Sequence, residues 1–258
     1  MNTGFIGIGS MGGMLLRSIL RSCAIAPATT YAANRSPIQI PGIHVMASAE
    51  LTACCDLIFL CVHATEIPAV LSDIASSLTA EKLLVTTSAT ISLQKLEDQV
   101  PCRVAKLIPS ITQEIGAGIT LLMYGSRMTP GDRTLLEELL NRISQPIVIP
   151  ESLARPSIGL TSGGPALIAY LLQSMAEEAV RSNPELSPEL ARHMVYETAT
   201  ATLRLLLEAN LSPEEIIHRV AVPGGMTALS LEVLARHVPQ AWQTVFRETA
   251  QRQAKMDL

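Results

Sequence analysis

The sequence predicts an α/β protein in which a doubly wound parallel sheet comes first and an all-helical segment follows. Three observations predict it. Short apolar strands alternate with stretches of helical periodicity from Thr3 to Val148. A glycine turn of G-x-G-x-x-G spacing joins the first strand to the first helix, and strand signals stop after Pro150 while helix starts continue. Together they predict a Rossmann-type doubly wound sheet over 1–153 and an all-α domain over 154–258, expected from the features below to serve dimerisation and substrate binding, the boundary falling where Pro150 and Pro156 bracket a change of composition.

Thr3 to Ile8 reads as the first strand, and Gly12 to Ser22 as a helix with leucines and Ile19 on one side. Tyr31–Ala33 is a second short strand, Val45–Ala47 a third, and Glu50–Cys54 a brief helix. Asp56 to Val62 is apolar on both faces beyond its aspartate, the pattern of an interior parallel strand covered on both sides. Ile67–Leu78 reads as helix, Leu83–Thr87 as strand, the segment from Ser92 as helix and Arg103–Ile108 as strand. A last strand pair, Ile119–Tyr124 and Ile147–Val148, brackets a helix over Asp132–Ile143.

In the second half Pro165 marks a helix start, and Ala166 to Leu172 is apolar almost all round, so it needs cover on every side. Ser187-Pro188 and Ser212-Pro213 each pair a capping hydroxyl with a proline suited to the first helical position. A domain of about 100 residues buries too little of itself to cover such helices from within. A homodimer through the C-terminal helices, or a larger assembly, is expected, with a monomeric bundle as the alternative.

Composition narrows the partners. The chain has 258 residues and a net charge of -4, with 3% aromatic residues and no cluster of basic residues, so neither the cationic footprint nor the stacking platforms of nucleic-acid binding are present. Mean hydropathy is +0.33, a surplus of apolar side chain that a subunit interface would absorb. No export signal and no membrane span is read, so a cytoplasmic location and no membrane partner are expected. The five cysteines lack metal-type spacing and have no base beside them in sequence, so they read as reduced structural thiols, and no metal site is expected.

The turn Gly7-Ile8-Gly9-Ser10-Met11-Gly12 lets a pyrophosphate approach the free N–H groups of a helix start, which makes Gly7, Gly9, Ser10, Met11 and Gly12 candidate cofactor contacts. At the end of the second strand an NAD site usually has an acid; here stand Asn34, Arg35 and Ser36. A guanidinium with a hydroxyl and an amide suits a 2′-phosphate, so NADPH is expected and NADH is the alternative, the bland reading being that Arg35 is a solvated loop residue. His63 follows the central strand, where it either meets the cofactor or is a plain loop histidine.

Far downstream, Val220 to Ser230 runs into a Pro223-Gly224-Gly225 corner and then a helix starting near Thr227. Two glycines and a helix start aim several N–H groups at one spot, a receptor for a carboxylate or phosphate. Thr227 is either the catalytic hydroxyl beside that anion or only the helix cap.

Three segments, GFIGIGSMG, SGGPALIAYLLQSMAEEAV and VAVPGGMTALSLEVL, resemble in order and separation the nucleotide turn, the GSGPA helix start and the SPGGTT loop of pyrroline-5-carboxylate reductases. The resemblance spans nearly the whole chain. Ala105 to Thr112 departs from the usual MPNTP in a way similar to the branch encoded with late-competence genes. The resemblance implies hydride transfer from the nicotinamide to the imine carbon of 1-pyrroline-5-carboxylate, giving proline. It implies that Gly224, Gly225, Met226 and Thr227 bind the substrate carboxylate through backbone N–H groups and that the Thr227 hydroxyl meets the ring nitrogen. Cofactor contacts at Val62, His63 and Ala64, where the family has V-K-P, and at Ser88 and Ala89 are also implied, as is a pocket completed by the partner subunit. Val222, Ala221 and Ser110 stand where the family has hydrogen-bonding side chains. The competing reading is therefore a nucleotide-binding competence paralogue with little turnover, or a reductase of a related imine or keto acid. A hydroxy-acid dehydrogenase of similar layout needs a lysine that Pro165 to Val180 does not supply.

Overall fold

The computed structural model describes residues 1–254, which divide into two compact units: Met1–Pro165 together with the described residues from Gln253, and Ala166–Arg252. The first is built on one sheet of eight strands: β1 (Thr3–Ile6), β2 (Thr30–Ala33), β3 (His44–Val45), β4 (Leu57–Leu60), β5 (Leu83–Thr86), β6 (Arg103–Ile108), β7 (Ile119–Tyr124) and β8 (Gln145–Val148). Their order is β3-β2-β1-β4-β5-β6-β7-β8, every neighbouring pair parallel except β6 with β7.

Alternation along the strands sends side chains into two cores. Phe5, Leu57, Phe59, Val85, Ala105 and Leu107 pack on one face with Leu15, Leu16 and Ile19 of α1 (Ser10–Arg21), and Leu136, Leu139 and Leu140 of the later helix Pro130–Asn141. Phe5 and Phe59 stack there with ring centroids 4.8 Å apart. Ile6, Ile58, Leu60, Leu84, Val104 and Ile108 face the other way, against α2 (Ser48–Cys54), α3 (Ile67–Ile74) and α4 (Leu93–Glu97). With helix Pro130–Asn141 as α5, the sheet is doubly wound as its alternating elements required. At about 1.5–3 kcal/mol for each fully buried aliphatic or Phe side chain, these two layers dominate the stability of the unit.

Two details differ from the sequence reading. Helix α1 begins at Ser10 rather than Gly12, because the Gly9 carbonyl already accepts the Gly13 N–H at 2.8 Å; Ser10, Met11 and Gly12 therefore form its first turn. The compact unit also runs past residue 153, through α6 (Ala154–Leu160). Ala154 is buried in the second core and Ile158 packs against it. Just ahead of α6, Glu151 pairs with the buried Lys106 of β6 and accepts the Leu93 N–H, tying this segment to the sheet.

The second unit consists of helices: α7 (Gly164–Ser182), α8 (Pro188–Leu207), α9 (Pro213–Val220) and α10 (Met226–Ala254). Ser187 accepts the Leu190 N–H at 3.2 Å to start α8, and Ser212 with Glu215 forms a reciprocal capping box at the start of α9. Its buried core is small: Ala176, Ala191 and Val195, with Leu172, Val180 and Leu186 packed around them. Ile168, Tyr170, Leu171 and Met175 of α7 are exposed in the single chain. No helix among the described residues is long and apolar enough to cross a membrane.

Candidate functional site

Strand β1 stops at Ile6 because Gly7 takes φ +90°, a conformation that L side chains rarely adopt. A Cβ there would also lie 2.8 Å from Val62 Cγ1 and 2.9 Å from the Cys61 carbonyl oxygen. Gly12 is excluded from having a side chain for a different reason: its Cβ would stand 2.0 Å from the Gly7 carbonyl oxygen. Gly9 has nothing within 4 Å of its Cβ position, so its bareness serves no internal packing and leaves room for something from outside. Gly9 is also the cap of α1 and supplies no side-chain acceptor, so among the described residues the N–H groups of Ser10, Met11 and Gly12 have no partner at the positive end of a 12-residue helix. A cradle that a Cβ would fill, over free amides, fits a dinucleotide pyrophosphate.

The turn is anchored by its neighbours. Gly7 N–H donates to the Ala33 carbonyl at 2.9 Å, and Ile8 N–H donates to the Asn34 side-chain oxygen at 3.0 Å. The Asn34 amide nitrogen in turn donates to the Ser36 carbonyl at 3.1 Å. Asn34 thus clamps the glycine turn to the end of β2, and both ends of its amide are engaged within the protein.

A cleft of about 730 Å³ opens at the carboxyl ends of β1, β2 and β4. It brings together Gly7, Gly9, Asn34, Arg35, Ser36, Val62 and His63 from the residues singled out in sequence. Ser10 and Met11 line an adjoining pocket of about 240 Å³ with Gly9, Arg17, Ile111 and Glu114. Ala64, which opens a short 3-10 turn, and Ser88 and Ala89, on the loop after β5, do not line the cleft. Ser88 is buried, its N–H donating to the Thr86 hydroxyl at 3.1 Å. His63 is exposed and its Nδ1 lies 3.0 Å from the Thr65 hydroxyl.

Glu66 and Asp73 also line the cleft, and sequence reading passed over both. Glu66 forms an ion pair with Arg35 from the far side of the opening. No motif flags it, since the pairing joins two loops 31 positions apart. Cys61, which also lines the cleft, is half-buried, and burial pushes its thiol up to about 12, which disfavours the thiolate at neutral pH.

In the helical unit, Val222 to Gly225 forms a reverse turn closed by the Gly225 N–H on the Val222 carbonyl at 3.0 Å. Pro223 occupies the second position and Gly224, at φ +74°, the third, which is the residue order of a type II turn. A Cβ on Gly225 would meet Val222 Cγ2 at 2.8 Å, which explains the second glycine. The Gly225 amide is therefore occupied, and among the described residues the N–H groups of Gly224, Met226 and Thr227 have no partner at this corner. Met226 is the first residue of α10, so Thr227 lies inside the first turn and not at the cap. Thr227 is exposed, and among the described residues its hydroxyl has no hydrogen-bond partner. Ser110, by contrast, is buried, its hydroxyl 3.5 Å from the Thr161 carbonyl and 3.0 Å from the Thr112 hydroxyl.

A doubly wound sheet with a bare glycine cradle at the end of its first strand defines a dinucleotide-binding protein. Comparison with known proteins narrows the class. Residues 2–90 match the family model for coenzyme F420-dependent NADP oxidoreductases, and residues 151–256 match that for pyrroline-5-carboxylate reductase dimerisation. ComE operon protein 4 of Bacillus subtilis is 30% identical over 257 residues, 96% of this chain and 94% of that protein. Pyrroline-5-carboxylate reductase 3 of the same organism is 29% identical over 254 residues, covering 95% and 93% of the two chains. The solved structure of Plasmodium falciparum pyrroline carboxylate reductase with NADP bound superposes with a TM-score of 0.87 at 20% identity, over 100% of this chain and 97% of that one, a likeness of fold. The chain belongs to the pyrroline-5-carboxylate reductase family and is an NAD(P)-dependent oxidoreductase.

Proposed function

We propose that this protein reduces the C=N bond of 1-pyrroline-5-carboxylate to give L-proline, with NADPH as the reductant. The observation that carries the reading is the Pro223-Gly224-Gly225 corner. Three N–H groups there, without partners among the described residues, stand beside a threonine hydroxyl that has none among them either. The amides of Gly224, Met226 and Thr227 hold the substrate carboxylate, while the Gly225 amide keeps the corner closed. The Thr227 hydroxyl donates to the ring nitrogen and orients the imine. When bound, NADPH would supply the hydride to the imine carbon, while the ring nitrogen gains a proton from solvent to complete the amine. The cleft holds that nucleotide, with Gly7, Gly9 and the first turn of α1 against the pyrophosphate and Arg35 and Ser36 toward the 2′-phosphate.

Support for the cofactor comes from the solved Plasmodium relative, which has NADP bound, and for the reaction from the curated relatives named as pyrroline-5-carboxylate reductases. The exposed apolar side chains of α7, with the dimerisation match over 151–256, support a homodimer through the C-terminal helices.

One assay tests the reading: NADPH absorbance is followed with and without pyrroline-5-carboxylate, and proline is measured alongside. Proline formed in step with NADPH loss is expected. A second reading, a nucleotide-binding paralogue with little turnover, draws on Val222, which puts an exposed apolar side chain where the family has a serine, and on the likeness to ComE operon protein 4. NADPH that binds at micromolar concentration and is never oxidised would establish that second reading and sink the first.

A further inference from the structure

We propose that Glu66 is a specificity residue for the nucleotide, an internal anion that competes with the cofactor's 2′-phosphate for Arg35. The inference rests on the reading of the cleft as the seat of the adenosine end. Among the described residues lining that cleft, Arg35 is the one arginine and there is no lysine, while Glu66 and Asp73 are both acidic. A cleft meant to attract a phosphate of nearly two negative charges thus contributes one cation against two carboxylates, with His63 as a further titratable neighbour.

The cation is already taken. Arg35, beyond the end of β2, reaches across the opening to Glu66, in the turn after β4, and the two carry an ion pair between the cleft's walls. Among the described residues lining the cleft no second arginine and no lysine replaces Arg35 as a phosphate ligand. The Asn34 amide is held by Ile8 and Ser36, so the polar groups left to accompany Arg35 are neutral ones such as the Ser36, Ser48 and Thr65 hydroxyls.

A 2′-phosphate entering here must draw the guanidinium from Glu66 or sit close to its carboxylate. A 2′-hydroxyl makes neither demand. Because the side chains of Arg35 and Glu66 are 86% and 38% exposed, the pair is weak enough to release Arg35 at modest cost. Glu66 therefore narrows the gap in affinity between the phosphorylated and unphosphorylated nucleotides instead of closing the cleft to either. An acid placed across the opening lets one arginine site accept both cofactors.

The test is calorimetric titration of the full chain with NADP⁺ and with NAD⁺, for the wild type, Glu66→Gln, Arg35→Gln and the double variant, each checked by thermal melting. Neutralising Glu66 should tighten NADP⁺ about threefold to fivefold and change NAD⁺ by less than about twofold, as expected for removing one exposed competing charge. Arg35→Gln should weaken NADP⁺ selectively, and in its presence Glu66→Gln should no longer have an effect. Unchanged NADP⁺ affinity in Glu66→Gln, with Arg35→Gln still selective, overturns the role of Glu66 and leaves the cleft assignment standing. Equal weakening of both nucleotides by Glu66→Gln gives it a purely structural part and also overturns the proposal. If Arg35→Gln alters neither nucleotide, the assignment of this cleft to the 2′-phosphate fails instead.

Discussion

The side-chain oxygen of Asn34 accepts the N–H of Ile8 at 3.0 Å, so the residue after β2 fixes the turn after β1. Asn34→Asp preserves this acceptor but adds a negative charge beside Arg35 and Ser36. We expect NADP⁺ affinity to fall about tenfold with NAD⁺ affinity retained. Asn34→Ala removes the acceptor and leaves the half-buried Ile8 N–H unpaired, at about 1–3 kcal/mol, so both nucleotides should weaken together. Titration of the two variants with both nucleotides separates the charge effect from the clamp.

The glycines of the turn have separable duties. Gly9→Ala should fold with an unchanged melting temperature, because its Cβ meets nothing within 4 Å, yet bind nucleotide at least about tenfold more weakly, because that space belongs to the pyrophosphate. Gly12→Ala should lower stability by about 2 kcal/mol or more, its Cβ being forced against the Gly7 carbonyl oxygen. Melting curves and nucleotide titrations of the pair check this, and equal stability losses would refute the division of duties.

Thr227→Ala should cut kcat by about 10²-fold or more while NADPH affinity stays as in the wild type, the pattern of a lost group acting on substrate alone. Thr227→Ser, which keeps the hydroxyl, should recover most of that loss. Since the exposed hydroxyl has no partner among the described residues, melting temperature should not move in either variant. A fall in stability without the kinetic effect would return Thr227 to a helix-supporting role.

Alkaline pH should destabilise the first unit through the buried Cys102 and the half-buried Cys61. Burial pushes the Cys102 thiol up to about 11 and that of Cys61 up to about 12, against about 8.5 for a free cysteine. Below pH 8.5 both the folded and the unfolded chain hold these protons and stability is unaffected. As pH rises toward 11 only the unfolded chain releases them, so stability is lost over that window. Melting temperatures measured between pH 8 and 11 should fall, and fall less steeply in Cys102→Ala. Iodoacetamide at neutral pH should label the exposed Cys23 and Cys54 and spare Cys102.

Much of the sheet is readable from Leu57–Leu60 and its like, because strands covered on both sides carry no polar alternation and the helices between them do. Strand direction is not encoded in such runs. The reversal at β7 follows the connection from Pro109 to Gly118, which holds a 3-10 turn and a left-handed Gly116, and its length does not encode the direction, since residues 34–43 join the parallel β2 and β3 with as few. Helix α6 was hidden by Pro156 and Gly159, which look like breakers. The glycine turn was legible because its chemistry is local. The Arg35–Glu66 pair and the Asn34 clamp were not, since each depends on which loop lies across from which. At Gly225 the composition suggested a donor to a ligand, and only the turn geometry shows that amide closing on Val222.

That closure has a thermodynamic consequence. With Pro223 restricting one dihedral and the Gly225–Val222 bond holding the bend, the donors at the head of α10 are fixed before anything arrives. An acid docking there need not freeze a floppy segment, so its binding entropy should be governed by water released from the carboxylate and the amides. Small anions such as acetate, though weak, should already be sensed at this point, and loosening Pro223 would penalise every carboxylate alike, whatever ring or chain it carries.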